Sequence, residues 1–174
     1  MASPSIDKAL LERPFALSGD EDFNALALDL FRLHAERNPA YRGFLSALGR
    51  DAARVRQVED IPFLPISAFR NQRVLLEGLD PFIVFTSSGT TGSITSSHLV
   101  PWPELYERSF LTSFTAVYGD PSRWRILALL PAYLERPGSS LVYMAQKLIS
   151  TSGDPLSGTF LYQYDQLAGV LRRS

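Results

Sequence analysis

Seven consecutive residues, Ser87 to Ser93, are all serine, threonine or glycine. Such a stretch offers hydroxyl donors together with a backbone that can turn several N–H groups toward one point, a concave nest suited to a phosphate. Gly89 and Gly92 can take positive φ and let the main chain approach an anion, while the hydroxyls of Ser87, Ser88, Thr90 and Thr91 can donate to its oxygens. The pattern favours a polyphosphate over a lone carboxylate. The expected phosphate-binding residues are therefore Thr86, Ser87, Ser88, Gly89, Thr90, Thr91, Gly92 and Ser93. The competing reading is a solvated polar loop or hairpin, since serine and glycine are ordinary loop residues. A Walker-type loop would continue Gly-Lys-Ser/Thr, whereas Gly92 is followed by Ser93-Ile94-Thr95. The dinucleotide pattern Gly-x-Gly-x-x-Gly is absent too, so neither that NTPase class nor a nicotinamide cofactor is indicated.

Other chemistry-bearing residues are sparse. The chain has two histidines, His34 and His98, and no cysteine, which argues against a zinc site, a disulfide framework and a cysteine nucleophile. His34 falls on a helix rich in core residues and reads as a satisfied or solvated histidine rather than a ligand. Trp102 and Trp124 sit at element boundaries, where packing is the expected role. No Gly-x-Ser-x-Gly elbow occurs.

The elements that would position the loop follow from periodicity. Apolar residues between Asp22 and Arg37 recur at helical spacing, and Asn38-Pro39 stops the run. A second helix is predicted from Tyr41 to Leu48, ending at Gly49. Ile61 to Ile66 contains two prolines and is otherwise apolar, predicting a buried, extended crossing segment. Arg73 to Glu77 and Pro81 to Thr86 are predicted strands, the second leading directly into the Ser/Thr/Gly loop. Pro103 opens a helix with Tyr106, Phe110, Phe114 and Val117 on one face, closed by Gly119-Asp120-Pro121. Arg125 to Leu130 is predicted to be a strand buried on both faces. Ser139, a good cap, starts a helix to about Ser150 with Leu141, Ala145 and Leu148 on one side and Val142 and Ile149 beside them. A turn at 152–155, a strand at 159–164 and a helix at 165–172 complete the chain. The expected fold class is α/β: a layered sheet flanked by helices, with 1–71 helical and 72–174 carrying the α/β region, in one domain of 1–174.

Composition fits this assignment. The 174 residues are 45% hydrophobic and 20% charged, with a formal net charge of -1. That is the balance of a globular domain without the basic field that would draw in nucleic acid or an anionic membrane. No window approaches the length of a membrane span, and the first residues lack the pattern of a secretory signal. The absence of cysteine favours a cytoplasmic location.

Phe85-Thr86-Ser87-Ser88-Gly89-Thr90-Thr91-Gly92 resembles the signature loop of adenylate-forming enzymes, with one additional serine. Within that group it is similar to the acyl-protein synthetases of the bacterial luminescence type and related acyltransferases. The resemblance extends to Pro62-Phe63-Leu64-Pro65, to Phe69 and to the stretch from Leu130 to Leu141. It implies a ligase for which ATP and Mg²⁺ are the cofactors. A carboxylic acid, expected to be a fatty acid, would attack the α-phosphorus of ATP, and the acyl group would pass to a protein or thiol acceptor. A protein acyl acceptor or a reductase is the implied partner.

The resemblance also makes Tyr133, in a Leu-Pro-aromatic motif with Gly138 beyond it, an expected wall of the acyl site; a surface aromatic is the equal alternative. Glu135 and Arg136 would orient a carboxylate or serve the following helix.

Two departures stand out. The Pro-Lys-Gly that follows the loop in many members is replaced by Ser93-Ile94-Thr95-Ser96-Ser97-His98, leaving His98 as the substitute cation. The acyl-carrying cysteine of the luminescence enzyme has no counterpart in the chain. Adenine and ribose motifs are also missing before Ser174, so the resemblance implies the N-terminal portion of a longer enzyme. The alternative functions are a non-catalytic α/β module binding a phosphate ligand or a protein, and a structural domain with an exposed loop.

Overall fold

The computed structural model of the chain describes residues 6–87, 95–131 and 137–173. In chain order the described elements are helices α1 (Lys8–Glu12), α2 (Asp20–Arg37), α3 (Pro39–Ala47) and α4 (Ala68–Asn71), strands β1 (Ile83–Thr86) and β2 (Ser97–Val100), helix α5 (Pro103–Tyr118), strand β3 (Leu127–Ala128), helix α6 (Ser140–Ser152), strand β4 (Gly158–Thr159) and helix α7 (Tyr164–Leu171). The fold is mixed α/β, with far more helix than strand. No described helix is long and apolar enough to cross a membrane. The chain forms two compact units, Met1–Phe82 with Gly89–Pro101, and Ile83–Ser88 with Trp102–Ser174.

The first unit is built on α2 and α3. Three carboxylates, Asp20, Glu21 and Asp22, occupy the first turn of α2, and the Arg37 cation its last. This is the charge order that complements the helix dipole. Asn38-Pro39 does more than stop α2: Asn38 caps α3, accepting from the Tyr41 N–H at 3.3 Å, and Pro39 is its first helical residue. Gly49, at φ 62, ends the helix as predicted, and the Arg50 N–H reaches back to the Leu45 carbonyl at 3.0 Å. Phe31, Tyr41, Leu45 and Val55 form the buried core, with Phe31 and Tyr41 edge to face at 6.0 Å. The Tyr41 hydroxyl donates to the Pro62 carbonyl at 2.6 Å.

Two expectations for this unit fail. The segment from Ile61 to Ile66 is buried only in part: Ile61 and Leu64 pack against the core, whereas Phe63 is 77% and Ile66 85% exposed. Its apolar composition identified contact surface but not the side from which it would be covered. Residues 73–77 form no strand. Leu75 and Leu76 are both buried, whereas neighbours in a strand point to opposite faces. The Glu77 N–H bonds the Arg37 carbonyl at 2.7 Å instead of entering a ladder. Strand β2, in contrast, was not foreseen, because its Ser-His-Leu-Val sequence is too short and mixed for a periodic signal.

The second unit contains a βαβ arrangement. Strands β3 and β4 pair in parallel, Leu127 opposite Gly158 and Ala128 opposite Thr159, with α6 between them in sequence. Ser139 caps α6 through its hydroxyl, as predicted. The buried face of α6 is Val142, Ala145, Leu148 and Ser152; Leu141, expected on that side, is exposed. The strand predicted over 125–130 shrinks to two residues and is only half-buried. The Ile126 N–H turns to the Ser157 hydroxyl at 2.9 Å, and Leu129 is exposed. Of the strand expected over 159–164 only Thr159 is in a strand, β4, and Tyr164 already begins α7. Helix α5 runs as predicted, but of its apolar face only Phe110 is buried and Val117 is exposed.

Candidate phosphate-binding site

Strand β1 delivers the predicted loop. Phe85, its aromatic, is buried in the second unit with ring centroids 5.2 Å from Tyr106 on α5 and 5.5 Å from Tyr143 on α6. Strand alternation then requires Thr86 to face the other way, and it is exposed, as is Ser87. The aromatic of the loop motif thus anchors the strand while its hydroxyl neighbours reach the surface. Ser88, Gly89, Thr90, Thr91, Gly92 and Ser93 lie outside the described residues, as do Tyr133, Glu135 and Arg136.

The Thr86 N–H donates to the Gly138 carbonyl at 2.8 Å. One backbone bond therefore ties the residue that precedes the Ser/Thr/Gly run to the glycine beyond the Leu-Pro-aromatic motif, more than fifty positions later in the sequence. Gly138 has φ 83, and Pro137-Gly138 is a favoured pair for a type II turn, whose second central residue needs φ near about +80°. A Cβ at this position would lie 3.2 Å from Thr86 Oγ1 and 3.5 Å from the Val84 carbonyl oxygen. Both the conformation and the space call for glycine.

Behind the strand, Glu107 of α5 accepts from the Tyr143 hydroxyl at 2.6 Å and pairs with Lys147 at 2.7 Å, both on α6. Burial disfavours the Glu107 carboxylate, but the hydrogen bonds from Lys147 and Tyr143 and the Lys147 charge outweigh it and hold the carboxyl below its ordinary value. This network bridges the two helices that enclose Phe85.

His98 lies on β2 in the first unit, exposed, with its ring stacked on Phe69 at 5.8 Å and an interplanar angle of 11°. Phe69 thus occupies one face of this imidazole. Among the described residues no group of three or more His, Asp or Glu side chains is placed to hold a metal.

Comparison with family models, with curated proteins and with solved structures gives no match.

In the sequence Gly138 stands out only as the glycine beyond a Leu-Pro-aromatic motif. The Pro137-Gly138 pair was the available signal for its turn, but its approach to Thr86 is tertiary and leaves no local trace. The concave regions of the first unit leave no mark in the sequence pattern, and one of them carries a histidine. That one is a cavity of about 370 Å³ whose lining includes His34, Asn38 and Tyr41 beside Ala27, Leu30 and Phe63. Asn38 Nδ2 lies 3.2 Å from His34 Nδ1, and an amide nitrogen can only donate, so Nδ1 is the bare nitrogen of the ring.

Proposed function

We propose that this chain supplies the phosphate-binding and acyl-site part of an ATP-dependent ligase that activates a carboxylic acid, expected to be fatty, as its acyl-adenylate. The observation that carries the reading is the Thr86–Gly138 hydrogen bond. It joins the two stretches on which the likeness to adenylate-forming enzymes rests, at the carboxyl end of a strand, where α/β proteins commonly place ligands.

In this reading the Thr86 hydroxyl, and the hydroxyls and backbone N–H groups of the residues that follow it, donate to the β- and γ-phosphates. They restrain the departing pyrophosphate and offset the negative charge that develops on it as the substrate carboxylate attacks the α-phosphorus. Preorganised donors cost no reorganisation at that moment, and the anchoring of Phe85 between Tyr106 and Tyr143 supports this reading. Mg²⁺ screens the phosphates when bound. It typically keeps several waters and one or two protein oxygens, so it needs no preformed cluster of carboxylates and would arrive with the nucleotide. The acceptor of the acyl group is a thiol or a protein nucleophile supplied by a partner, and the site of action is cytoplasmic.

Carboxylate-dependent exchange of labelled pyrophosphate into ATP tests the proposal. In the whole ligase of which this chain is a part, exchange should proceed with a fatty acid, and Gly89→Val should abolish it. Nucleotide binding without exchange for any acid would replace the ligase with a phosphate-binding module. Absence of ATP-induced NMR shifts over residues 86 to 93 would remove both.

A further inference from the structure

A groove wholly within the first unit runs between the C-terminal half of α2 and the 3₁₀ turn Ala52–Arg54. Its floor is small and apolar, Ala35 with Ala52 and Ala53, and the first two of these pack against the core cluster that includes Val55. Its rim is charged: Arg32 and Glu36 stand four positions apart on α2, and Arg56 follows the turn. The volume is about 280 Å³, short of the roughly 300 to 1,000 Å³ usual for a pocket that encloses a whole small molecule. It suits one anchoring side chain of a larger partner whose main chain stays outside.

The charge on the rim is unevenly compensated. Asp29 alone serves two guanidiniums, Arg13 at 2.6 Å and Arg32 at 3.2 Å. Arg54 reaches Asp51 only at 3.6 Å. Arg56 is exposed and has no hydrogen-bond or ion-pair partner among the described residues. A guanidinium carries five N–H donors and no acceptor, in a fork that matches a carboxylate, so this rim has donors to spare for acidic groups. Glu36 limits which ones. Its exposed carboxylate lines the same groove and repels a continuous polyanion such as nucleic acid or an anionic bilayer. A peptide, in contrast, can set a carboxylate at Arg56 and an uncharged or donor group beside Glu36.

We propose that this groove docks a protein segment in which a leucine-sized aliphatic side chain is flanked by aspartate or glutamate. The aliphatic group sits on the alanine floor, and the carboxylates meet Arg32 and Arg56. Charge complementarity and the size of the groove select this occupant. The inference stands apart from the ligase reading, and its test contains no nucleotide.

Three end-blocked pentapeptides, Asp-Asp-Leu-Asp-Asp, Asp-Asp-Ala-Asp-Asp and Lys-Lys-Leu-Lys-Lys, are titrated into the chain at low salt and followed by NMR of the Ala35, Ala52 and Ala53 amides and the Arg56 Nε–H. The acidic leucine peptide should shift these signals together and saturate, the alanine peptide should bind roughly three- to tenfold more weakly, and the lysine peptide should not bind. Added salt should weaken the acidic peptides. Arg56→Glu, at an exposed position, should lower the affinity of the leucine peptide by at least about tenfold. Ala53→Phe, also exposed and filling the floor, should erase the preference for leucine over alanine; circular dichroism confirms that both variants fold. Absence of saturable binding by the leucine peptide at roughly 10 mM, equal affinity for the leucine and alanine peptides, or full binding by Arg56→Glu would each overturn the assignment. So would a ten-residue oligothymidylate or phosphatidylglycerol vesicles that shift the same signals more tightly than the peptide does.

Discussion

Replacing Gly138 by alanine places a methyl group where the backbone has φ 83 and where Thr86 Oγ1 is 3.2 Å from the new carbon. These are separable costs. The left-handed conformation disfavours a residue with a Cβ by about 1 to 2 kcal/mol. The reduced freedom of alanine in the unfolded chain returns about 0.4 to 1 kcal/mol of that, leaving a conformational penalty of about 1 kcal/mol. The contact adds to it, because Thr86 must shift while its N–H stays bonded to the Gly138 carbonyl; displacing a packed neighbour brings the total to about 2 kcal/mol. Gly49 provides the control: it too has positive φ, 62, but an added Cβ meets nothing within 4 Å, so Gly49→Ala should cost only the conformational part.

Urea denaturation reads each loss directly. In thermal melts, about 2 kcal/mol corresponds to a Tm fall of roughly 4 to 8 °C for a chain of this size. Adding Thr86→Ala to Gly138→Ala should recover the contact portion but not the conformational one, a coupling that a double-mutant cycle isolates. Equal costs for Gly138→Ala and Gly49→Ala, with no recovery in the double variant, would refute the close approach of the two motifs.

Three further outcomes follow from the same geometry. Asn38→Ala should destabilise the chain by about 1 to 2 kcal/mol, through loss of the α3 cap and of the His34 partner, and ¹⁵N NMR of the His34 ring should show the tautomers redistributing. His34 is held below its ordinary pKa by burial. The unfolded state therefore binds its proton first as pH falls, so this contribution to stability is complete above about pH 6.5. It declines below that value, and His34→Gln should flatten the profile there. Tyr143→Phe removes one of the bonds that keep Glu107 ionised. It should cost about 1 kcal/mol near neutrality and raise the Glu107 pKa, measurable by ¹³C titration. A Glu107 titration unchanged by the substitution would exclude the hydroxyl as a cause of the depression.

The sequence was most readable where local rules govern. Helices α2, α3, α5 and α6 could be placed from apolar spacing, Pro39, Pro103, Ser139 and the terminal glycines, because caps and periodicity act within a few residues. Strand content was overestimated for the opposite reason. Arg73 to Glu77 and Arg125 to Leu130 have strand-like composition, but strands exist only through partners, and the amides of Glu77 and Ile126 find theirs in a carbonyl at a helix end and a serine hydroxyl. At the candidate site, β1 and its leading residues were legible from the Ser/Thr/Gly run. The Gly138 contact was not, since it depends on a pairing more than fifty residues apart. The cavity was hidden in another way: Phe63 looked like core because its composition is that of core, and only its exposure separates a lining wall from a packed one.

The bond between Asn38 and the Tyr41 amide also joins two processes that usually run on separate clocks. If the first turn of α3 opens, Asn38 Oδ1 loses the donor that orients it, the amide can rotate, and His34 Nδ1 need no longer be the bare nitrogen. Imidazole proton placement is thereby limited by the local opening of one helical turn. Hydrogen exchange at a single backbone position, the Tyr41 N–H, should report how often the ring is released to change tautomer.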